Sequence, residues 1–538
     1  MLGKFAWVQV AAVIFMIAAT AVQATTFTVT NTYDSGAGSL RQALLDANAM
    51  QVTDGMACAP HTIQFAIAGA GVHTIQPISP LPPLQIPVTL DGYSQPGTSM
   101  NTLSEGDNAK LAIELDGSLA GMSDGLAIAP HGSLVCGGSS SLIRGLVINR
   151  FAGAAIAAVG DFCPLSGGCG SGNVSIYGNF LGTDASGMLA RGNGTGVVFG
   201  QNTTQNVVGD QIYGYGGSQY AVEQTRNIIS GNVLDGIYLA STNPDAITSL
   251  NHHIRNNYIG VDATGTVALP NGRNGVFADA GSTATVVEEN LISGNLGDGV
   301  VVADNIAGIG SVRNNGIGVG VGNVALGNLG NGVRVSGASR GLTVGGQYPL
   351  SIFFDQPSIA NNAGAGVMIE DSALVDAGGG IANNAGLAID LAPGGANPND
   401  DQDADIGANE LLNHPLISAA IPDPVTGGGR ILGTLNSNPG ITVEIRFYLS
   451  DACDPSGIGG GQHPLRNGQF PISTSVTTDA QGNASFDLQV ANLPSGGFLT
   501  ALTRRATLIP GVVAFIVSEF SPCRLIDADW IFSDDFEV

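Results

Sequence analysis

The chain has few aromatic and few charged residues: 6% are aromatic and 11% are charged. The charge is also one-sided, because 18 Lys and Arg stand against 43 Asp and Glu, which gives a formal net charge of -25. An acidic chain is a poor partner for nucleic acid or for an anionic lipid surface, since both are polyanions. The composition therefore argues against a nucleic-acid-binding protein.

No stretch of 18 consecutive apolar residues occurs after the first 24 residues, so we expect no transmembrane span in the mature protein. Residues 1–24 are typical of a signal peptide, with Lys4, an apolar core from Phe5 to Ala19 and a small-residue cleavage site at Val22-Gln-Ala24. The alternative is a membrane anchor, for which the apolar run is short. We expect a secreted or cell-surface protein.

None of the six cysteines lies in a Cys-x-x-Cys pair, which argues against a zinc site or a dithiol redox site. An even number of cysteines in an exported chain is typical of disulfide bonds. The sequence leaves the pairing open. We expect a Cys163–Cys169 bond around a glycine-rich loop and a Cys453–Cys523 bond across the last domain. Cys58 and Cys136 are then left over.

Glycine is abundant, with 79 residues, and this argues against a helix-rich protein because each glycine costs roughly 1 kcal/mol in a helix. A short unit recurs, made of an apolar strand, an Asn-Gly corner and a second strand of alternating apolar residues. It occupies 227–239 and 290–302, with looser copies at 359–369 and 381–389. A unit this small cannot bury its own apolar face, so it must stack on copies of itself.

Glycine followed by an apolar run marks the start of a strand in each unit. Such glycines stand at Gly145, Gly196, Gly236, Gly275, Gly299, Gly332, Gly366 and Gly386. The spacings after Gly196 are 40, 39, 24, 33, 34 and 20 residues, and the long ones are either two coils or one coil with a loop. On the order of ten coils, each about 4.8 Å high, would make a rod of roughly 50 Å.

A larger module overlies the small unit, in three copies that begin at Asn179, Asn257 and Asn315. The connections between strands are too short for crossover helices, so the sheets must be coiled. Ser39–Asn48 is predicted to be one helix, capped by Ser39, with Leu40, Leu44 and Leu45 on one face. A lone amphipathic helix in front of many strands suits a plug over the open end of a β stack.

The chain resembles secreted right-handed parallel β-helix repeat proteins of Gram-negative bacteria that begin with a CSLREA motif. The resemblance covers roughly residues 25 to 525. This chain departs from the motif, with Gly38 in place of the Cys and Gln42 in place of the Glu. The segments that carry the resemblance are Ser39–Asn48, Leu81-Pro-Pro-Leu, Val88–Gly97, Ile113–Gly117, Cys453-Asp-Pro-Ser-Gly and Ser518–Cys523.

After residue 398 the period changes to longer alternating strands. About seven strands in about 110 residues predict an immunoglobulin-like β-sandwich. The aromatic, acidic C-terminal tail is either a sorting signal or a frayed end. The predicted divisions are a signal peptide (1–24), a cap with the first coils (25–124), an all-β right-handed parallel β-helix (125–398), an acidic linker (399–414), the sandwich (415–525) and the tail (526–538).

Several residues are candidates for chemistry. Asparagine at the corners would either bind sugar hydroxyls or, as we expect, form stacked hydrogen-bonded ladders. Asp184 and Asp262 occupy the same place in two module copies, where they are either an acid/base pair for glycoside cleavage or caps of their own turns. Glu288, next to Glu289 on a predicted strand, is a weaker catalytic candidate.

β-Helix polysaccharide lyases and polygalacturonases are the enzymatic relatives to consider, and neither motif set is complete here. Lys110 is the only lysine after the signal peptide. Arg144, Arg255 or Arg313 would have to act as the base of a lyase. The segment 337–341 matches Gly-x-Ser-x-Gly by chance, because a nucleophile elbow needs a strand–turn–helix in an α/β sheet.

Asp401, Asp403 and Asp405 alternate in the acidic segment, and hard oxygen ligands at this density favour Ca²⁺. The alternative is a solvated linker. We expect an exported, non-catalytic β-helix protein that binds or adheres to an extracellular partner, with a glycan as the expected ligand. The alternative is a polysaccharide-degrading enzyme, either a pectate-lyase-like lyase or a glycoside hydrolase. Any functional surface is expected in the long intervals, at Thr203–Arg226 or Ser241–Arg255.

Overall fold

The structure is a computed structural model that describes residues 24–50, 60–129, 141–160, 171–209, 221–239, 249–305, 310–345, 358–468, 470–509 and 512–527. The expected signal peptide and tail lie almost wholly outside the described residues. So do Cys58, Cys136, Cys163 and Cys169, and the central parts of both long intervals.

Three long parallel sheets, named A, B and C, make up the first two thirds of the chain, which is a parallel β-helix. The chain visits the sheets in turn, as in Ser175–Tyr177 of sheet A, Phe180–Leu181 of sheet B and Thr195–Phe199 of sheet C. Each strand pairs in parallel with the strand one coil later. A short fourth sheet, D, links sheets C and A.

Among the described residues, sheet A contains Thr26–Val29, His61–Phe65, Val88–Asp91, Leu142–Arg144, Ser175–Tyr177, Val207–Gly209, His253–Arg255, Val286–Glu288, Gly310–Arg313, Arg340–Gly345 and Leu374–Gly378. Sheet B contains His73–Ile75, Ile113–Asp116, Leu146–Asn149, Phe180–Leu181, Ile228–Ile229, Tyr258–Ile259, Leu291–Ile292 and Gly316–Ile317. Sheet C contains Leu126–Ile128, Ala154–Ala158, Thr195–Phe199, Ile237–Leu239, Val276–Ala278, Val300–Ala303, Val333–Ser336, Val367–Ile369 and Ile389–Leu391. Sheet D contains Ser171–Gly172, Thr203–Thr204, Ser249–Leu250 and Ser282–Thr283.

The predicted glycine positions match the register of sheet C, with two exceptions. Val197 pairs with Ile237, and Ile237 with Val276, so the intervals of 40 and 39 residues are each one coil with a loop. Gly145 precedes a strand of sheet B instead. In the last coil the register places Ala388, not Gly386, opposite Gly366, because Val367 pairs with Ile389.

Helix α1 spans Leu40–Asn48, and the hydroxyl of Ser39 accepts a hydrogen bond from the backbone N–H of Gln42, as the cap prediction requires. Leu40 and Leu44 are fully buried in the core at the N-terminal end of the coil stack. Leu45 is 47% exposed, so its expected place on the buried face was wrong; Ala43 and Ala47 complete that face. Among the described residues, no helix is both long and apolar enough to cross a bilayer.

A strap, residues 93–111, crosses the outer surface of sheet B. Leu111 is buried there against outward side chains of the sheet that include Phe180, Ile228 and Tyr258. The buried guanidinium of Arg226 holds the strap, since it donates to the carbonyl of Ser104 at 2.8 Å and lies 4.6 Å from the centre of the Tyr258 ring. Arg226 ends one of the two intervals in which we expected a functional surface, and its described role is structural.

The C-terminal region folds as antiparallel sheets around a second core that includes Ile431, Phe447 and Phe486. A three-stranded sheet contains Leu416–Pro422, Gly429–Asn436 and Asn483–Val490. A larger sheet contains His463–Pro464, Thr442–Ser450, Phe498–Ile509, Val512–Val517, Ser473–Thr477 and Arg524–Leu525, and a small ribbon contains Arg466–Asn467 and Phe470–Pro471. Within the described ranges, the 3-10 helices are Gly92–Ser94, Gly117–Leu119, Val222–Thr225, Val321–Asn323 and Ala408–Leu411.

The antiparallel region closes the C-terminal end of the β-helix. Leu502, Val517 and Phe520 belong to the same continuous core as the coils. Residues 399–414 were expected to be a linker, but the segment is packed: Asn409 is fully buried and its Nδ2 donates to the carbonyls of Val375 and Val517, both at 2.8 Å. This one side chain therefore joins the last strand of sheet A to the antiparallel sheet.

Candidate functional site

Stacked asparagines fill two corners of the coil, which confirms the expected structural role for them. One ladder lies between sheets A and B, and the second between sheets B and C. Each rung after the first receives a hydrogen bond at Oδ1 from the asparagine one coil earlier, as Asn257 Nδ2 donates to Asn290 Oδ1 at 2.9 Å. The first rungs, Asn179 and Asn193, accept instead from the backbone N–H groups of Leu146 and Phe151. The first ladder is Asn179, Asn227, Asn257, Asn290 and Asn315; the second is Asn193, Asn232, Asn271, Asn295, Asn328, Asn362 and Asn384.

Asp184 and Asp262 lie in equivalent protruding loops between sheets B and C. Asp184 Oδ1 accepts from the hydroxyl of Ser186 at 2.7 Å and from the backbone N–H of Leu189 at 3.2 Å. Asp262 Oδ1 accepts from the backbone N–H and the hydroxyl of Thr264 at 3.1 and 2.7 Å. Each carboxylate therefore caps its own turn, which is the alternative to the acid/base pair.

Glu288 and Glu289 each face an arginine on the outer side of sheet A. Glu288 Oε1 accepts from Arg313 Nη2 at 2.8 Å, and Arg255 Nη2 donates to both oxygens of Glu289 at 2.8 and 2.7 Å. The third arginine named as a base, Arg144, makes a two-point contact with Asp91 at 3.0 and 2.8 Å. A guanidinium held by a carboxylate is a poor proton acceptor, because pairing stabilises its charged form.

The acidic segment does bring carboxylates together, but not the predicted three. Ligand oxygens of Asp400, Asp403 and Asp405 lie within 4.8 Å of one another, and Asp401 is outside this group. Asp401, Asp403 and Asp405 do not lie on one side of an extended chain, because Gln402 and Asp403 have left-handed φ values of 61° and 56° that reverse the chain direction. The backbone N–H of Ala404 then donates to Asp400 Oδ2 at 3.0 Å.

Asp403 is the buried member of this acidic cluster. Its Oδ1 accepts from the backbone N–H of Asn413 at 2.9 Å and its Oδ2 from the hydroxyl of Ser437 at 2.9 Å. Burial raises the pKa of Asp403, and burial together with the charges of Asp400 and Asp403 raises the pKa of Asp405. Among the described residues, Oδ1 of Asp400 and Oδ1 of Asp405 are buried and accept no hydrogen bond. Two enclosed oxygens without donors are suited to a cation.

The outer face of sheet C carries an aromatic pair that the sequence reasoning missed. Tyr238 and Phe277 are register partners on adjacent strands, both half-buried, with ring centres 5.4 Å apart and planes 28° apart. Val198 continues the same outward column on one side, and Val301, which is only 1% exposed, follows on the other. The sequence does contain a signal for this pair, because Tyr238 and Phe277 each stand two residues after a strand-opening glycine. Aligning these glycines places the two rings on adjacent strands.

Polar groups border this aromatic pair. Tyr238 Oη donates to Asp279 Oδ2 at 2.9 Å, and burial, followed by this hydrogen bond and nearby negative charge, raises the pKa of Tyr238 to about 12. Asp235, 4% exposed, accepts at Oδ1 from the backbone and side-chain nitrogens of Asn274 at 3.0 and 2.9 Å. Burial raises the pKa of Asp235. The phenol of the pair is thus protonated, and the pair lies beside the carboxyl groups of Asp279 and Asp235.

An arginine continues the column toward the C-terminal end of sheet C. Arg334 lies one strand beyond Val301, and its Nε donates to Asp298 Oδ2 at 2.9 Å. Its Nη1 is 3.6 Å from Glu370 Oε2. The outer face of sheet C therefore presents aromatic and hydrogen-bonding side chains at the spacing of the coils, with the buried Val301 between them, and it is our candidate binding surface among the described residues.

No family model matches this chain, and no curated protein matches it in sequence. Among solved structures it is similar to the enzymatically active domain of tailspike protein 2 of bacteriophage CBA120, with 10% sequence identity. The similarity covers 86% of this chain and 72% of that chain, with a TM-score of 0.21. A likeness this weak says nothing about function.

Proposed function

We propose that the protein is an exported, non-catalytic β-helix protein that binds an extracellular glycan along the outer face of sheet C. The observation that carries this proposal is the Tyr238–Phe277 pair, bordered by Asp279, Asp235 and Arg334. An aromatic ring has an electron-rich face, which attracts the weakly positive C–H groups on one side of a pyranose ring. The Asp279 carboxylate and the Tyr238 phenol supply hydrogen bonds for the hydroxyls.

The ligand proposed for this surface is a neutral glycan. The whole chain carries a formal net charge of -25, and carboxylates border the aromatic pair. A polymer of uronic acids would approach this surface against charge repulsion. The engagement of Asp184, Asp262 and Glu288 in turns and ion pairs supports a binding role. A polysaccharide lyase or a glycoside hydrolase remains the alternative.

We propose three further features of the organisation. The coils wind in the right-handed sense of the CSLREA-type family, with α1 as the N-terminal cap. The antiparallel region is an immunoglobulin-like module. Residues 1–24 direct export, which the Cys453–Cys523 disulfide supports because such bonds persist in oxidising compartments.

We also propose that Asp400, Asp403 and Asp405 hold a Ca²⁺ ion that braces the packed segment against the antiparallel sheets. Three clustered carboxylates with two enclosed oxygens that accept no hydrogen bond support this proposal. Ca²⁺ takes six to eight oxygen ligands, so backbone oxygens and water would complete its shell. Because all three carboxylates must be ionised, affinity should rise with pH.

The glycan proposal is tested by screening the protein against a glycan array and titrating the best neutral hit by calorimetry. Tyr238→Ala and Phe277→Ala should each weaken binding by about tenfold or more. Phe470→Ala is the matched control, since Phe470 is 77% exposed on the antiparallel region and its loss should leave affinity unchanged. If no glycan binds, or if Phe470→Ala weakens binding as much as Tyr238→Ala, the surface is wrongly assigned.

The enzymatic alternative is tested with the same glycans and with polygalacturonate. New reducing ends would reveal a hydrolase, and absorbance of an unsaturated uronate would reveal a lyase. We expect neither product after prolonged incubation. Either product, lost in Asp184→Asn, Asp262→Asn or Glu288→Gln, would overturn the non-catalytic proposal.

The Ca²⁺ proposal is tested by calorimetric titration and by the melting temperature with added CaCl₂. We expect heat and a raised melting temperature for the wild type, because a ligand that binds only the folded state stabilises it. Asp405→Asn should abolish both effects. The control Asp401→Asn, next to Asp400 in the chain yet outside the cluster, should leave them intact. Absence of heat in the wild type contradicts the proposal.

A further inference from the structure

The second asparagine ladder has a last rung without a successor. In five of its members, the backbone N–H and the side-chain Nδ2 both donate to Oδ1 of the asparagine one coil later, at 2.9–3.2 Å. Asn362 makes this pair of bonds to Asn384 at 3.1 and 2.9 Å. Asn384 stands in the last coil. Among the described residues, none accepts its backbone N–H, and Nδ2 donates only to Ile359 and Ala382 at 3.0 and 3.3 Å.

The regular spacing of the ladder therefore defines the position at which Asn384 lacks the acceptor oxygen that the earlier rungs have. It would lie one coil beyond Oδ1 of Asn384, about 3 Å from both nitrogens. The antiparallel region covers the coil only up to this point, because Gly461 exchanges both backbone hydrogen bonds with Ile381, at 3.0 and 2.8 Å. Beyond Ile381 the cover is incomplete, and a cleft remains over Asn384.

This cleft has a volume of about 260 Å³ and lies between the last coil and the loop that holds the Cys453–Cys523 disulfide. Its size suits one sugar unit, since it is smaller than the roughly 300–1,000 Å³ of pockets for drug-sized ligands. Small apolar groups line it together with hydrogen-bonding groups. Among the lining residues, Asn384 and Asp454 offer hydrogen-bonding groups, and Ala388, Ala452 and Pro455 offer apolar groups.

We infer that this cleft binds the acetamido group of an N-acetylated amino sugar. The carbonyl oxygen takes the position of the missing asparagine Oδ1, where the two nitrogens of Asn384 donate to it. The methyl group packs on Ala388, Ala452 and Pro455. Asp454, which is half-buried and accepts from the backbone N–H of Ser456 through Oδ1, offers its other oxygen to the acetamido N–H.

An acetamido group fits this cleft better than the other acceptors a glycan carries. A carboxylate has the right oxygen, but Asp454 and the negative protein repel it. A hydroxyl is a weaker acceptor and has no methyl group to bury in an apolar pocket. An amide combines acceptor, donor and methyl group in one plane, as the side chain of the next asparagine would have done. The inference rests on the proposed function, since it names the sugar that the glycan must contain.

The test compares three β-linked hexamers that differ only at carbon 2 of each sugar: chitohexaose, with an acetamido group, cellohexaose, with a hydroxyl, and deacetylated chitohexaose, with an ammonium. Calorimetric titration of the full chain at high salt, which screens the attraction between the cationic hexamer and the acidic protein, should show chitohexaose binding at least about tenfold more tightly than either of the others. Ala452→Trp should abolish the preference, because the indole fills the mouth of the cleft. Ala452 is exposed, so this change should not disturb the fold.

Ala70→Trp is the matched control, since Ala70 is an exposed alanine in a loop near the opposite end of the coil stack, and it should bind as the wild type does. Circular dichroism must show the same fold for both tryptophan variants. Equal affinity for chitohexaose and cellohexaose overturns the acetamido site but leaves the glycan proposal standing. So does a preference that survives Ala452→Trp. If no hexamer binds and the array also shows no glycan, both proposals fail.

Discussion

The side-chain amide of Asn271 donates to Oδ1 of Asn295 at 2.9 Å, and both side chains are fully buried between sheets B and C. A buried amide needs partners for both its donor and its acceptor, so each rung depends on the next. The ladder thus couples neighbouring coils through hydrogen bonds that add to the backbone pairing of the sheets.

Removing one rung should destabilise the protein. Asn295→Ala leaves one of the two hydrogen bonds of Asn271 Nδ2 without an acceptor, and a buried donor left unpaired costs about 1–3 kcal/mol. Urea unfolding should show a loss in this range. Leu296→Ala, one residue away but 50% exposed, should change the unfolding free energy by less than about 0.5 kcal/mol. Equal effects of the two variants would show that the ladder contributes nothing.

The ion pair between Arg504 and Asp376 should hold the antiparallel region on the coil stack. Arg504 donates to both oxygens of Asp376 at 2.8–3.1 Å, and each side chain is 15% exposed. Arg504→Ala leaves the nearly buried carboxylate of Asp376 with the longer contact to Arg446 Nη1 at 3.8 Å, at a cost of up to about 3 kcal/mol. Arg430→Ala breaks the exposed Arg430–Asp487 pair and should have no measurable effect on urea unfolding. Indistinguishable unfolding curves would exclude a role for the Arg504 pair.

The strap over sheet B should make stability depend on pH through Asp107. Burial raises the pKa of Asp107 to about 6, above the ordinary value of 3.8, and its Oδ2 is enclosed without a hydrogen bond among the described residues. Between pH 4 and 6 the folded state therefore binds more protons than the unfolded chain, so this group makes the unfolding free energy fall as pH rises.

Asp107→Asn removes that titration. Relative to the wild type, the variant should gain about 1–3 kcal/mol between pH 4.5 and pH 7, measured by urea unfolding at each pH. Asp423 is the opposite case, because hydrogen bonds from Thr426 and Val425 lower its pKa. Asp423→Asn should lose stability relative to the wild type as pH rises. Parallel pH profiles for Asp107→Asn and the wild type would contradict the assignment.

The Cys453–Cys523 bond, which the sequence predicted correctly, closes a loop with a sequence separation of 70 residues. In the loop-entropy description, its removal should cost about 4 kcal/mol. The double variant Cys453→Ser, Cys523→Ser should therefore melt at a lower temperature, and a reducing agent should lower the melting temperature of the wild type but not of the variant. Chitohexaose binding should weaken in parallel, because Cys453 lines the cleft.

The repeat could be predicted from the sequence because one requirement dominates each position. Gly236, Gly275 and Gly299 stand where an added Cβ would meet the backbone carbonyl of the next coil within 2.6–2.7 Å. Only glycine avoids that contact, so the spacing of these glycines in the sequence gives the register of the sheet C strands. The last coil is the exception, because its strand Ile389–Leu391 has no successor in sheet C and Ala388 stands in place of the glycine.

The candidate site was predicted only in part, since it depends on contacts that no local pattern encodes. Asp400 lies close to Asp403 because two residues with left-handed φ values reverse the chain. No glycine stands at these positions, so the sequence does not predict the reversal. Tyr238 and Phe277 are 39 residues apart in the sequence and become neighbours only when the length of the intervening loop is known. The cleft over Asn384 depends on where the antiparallel region stops covering the coil.

The shared core at the C-terminal end has a consequence for the order of assembly. Leu502, Val517 and Phe520 complete the hydrophobic interior of the last coils, although more than 100 residues separate them from those strands. During synthesis from the N-terminus, the early coils can stack at once, but the final coils stay open until these three residues arrive. We expect chains truncated before Leu502 to be degraded or to aggregate end to end, even though every coil is present.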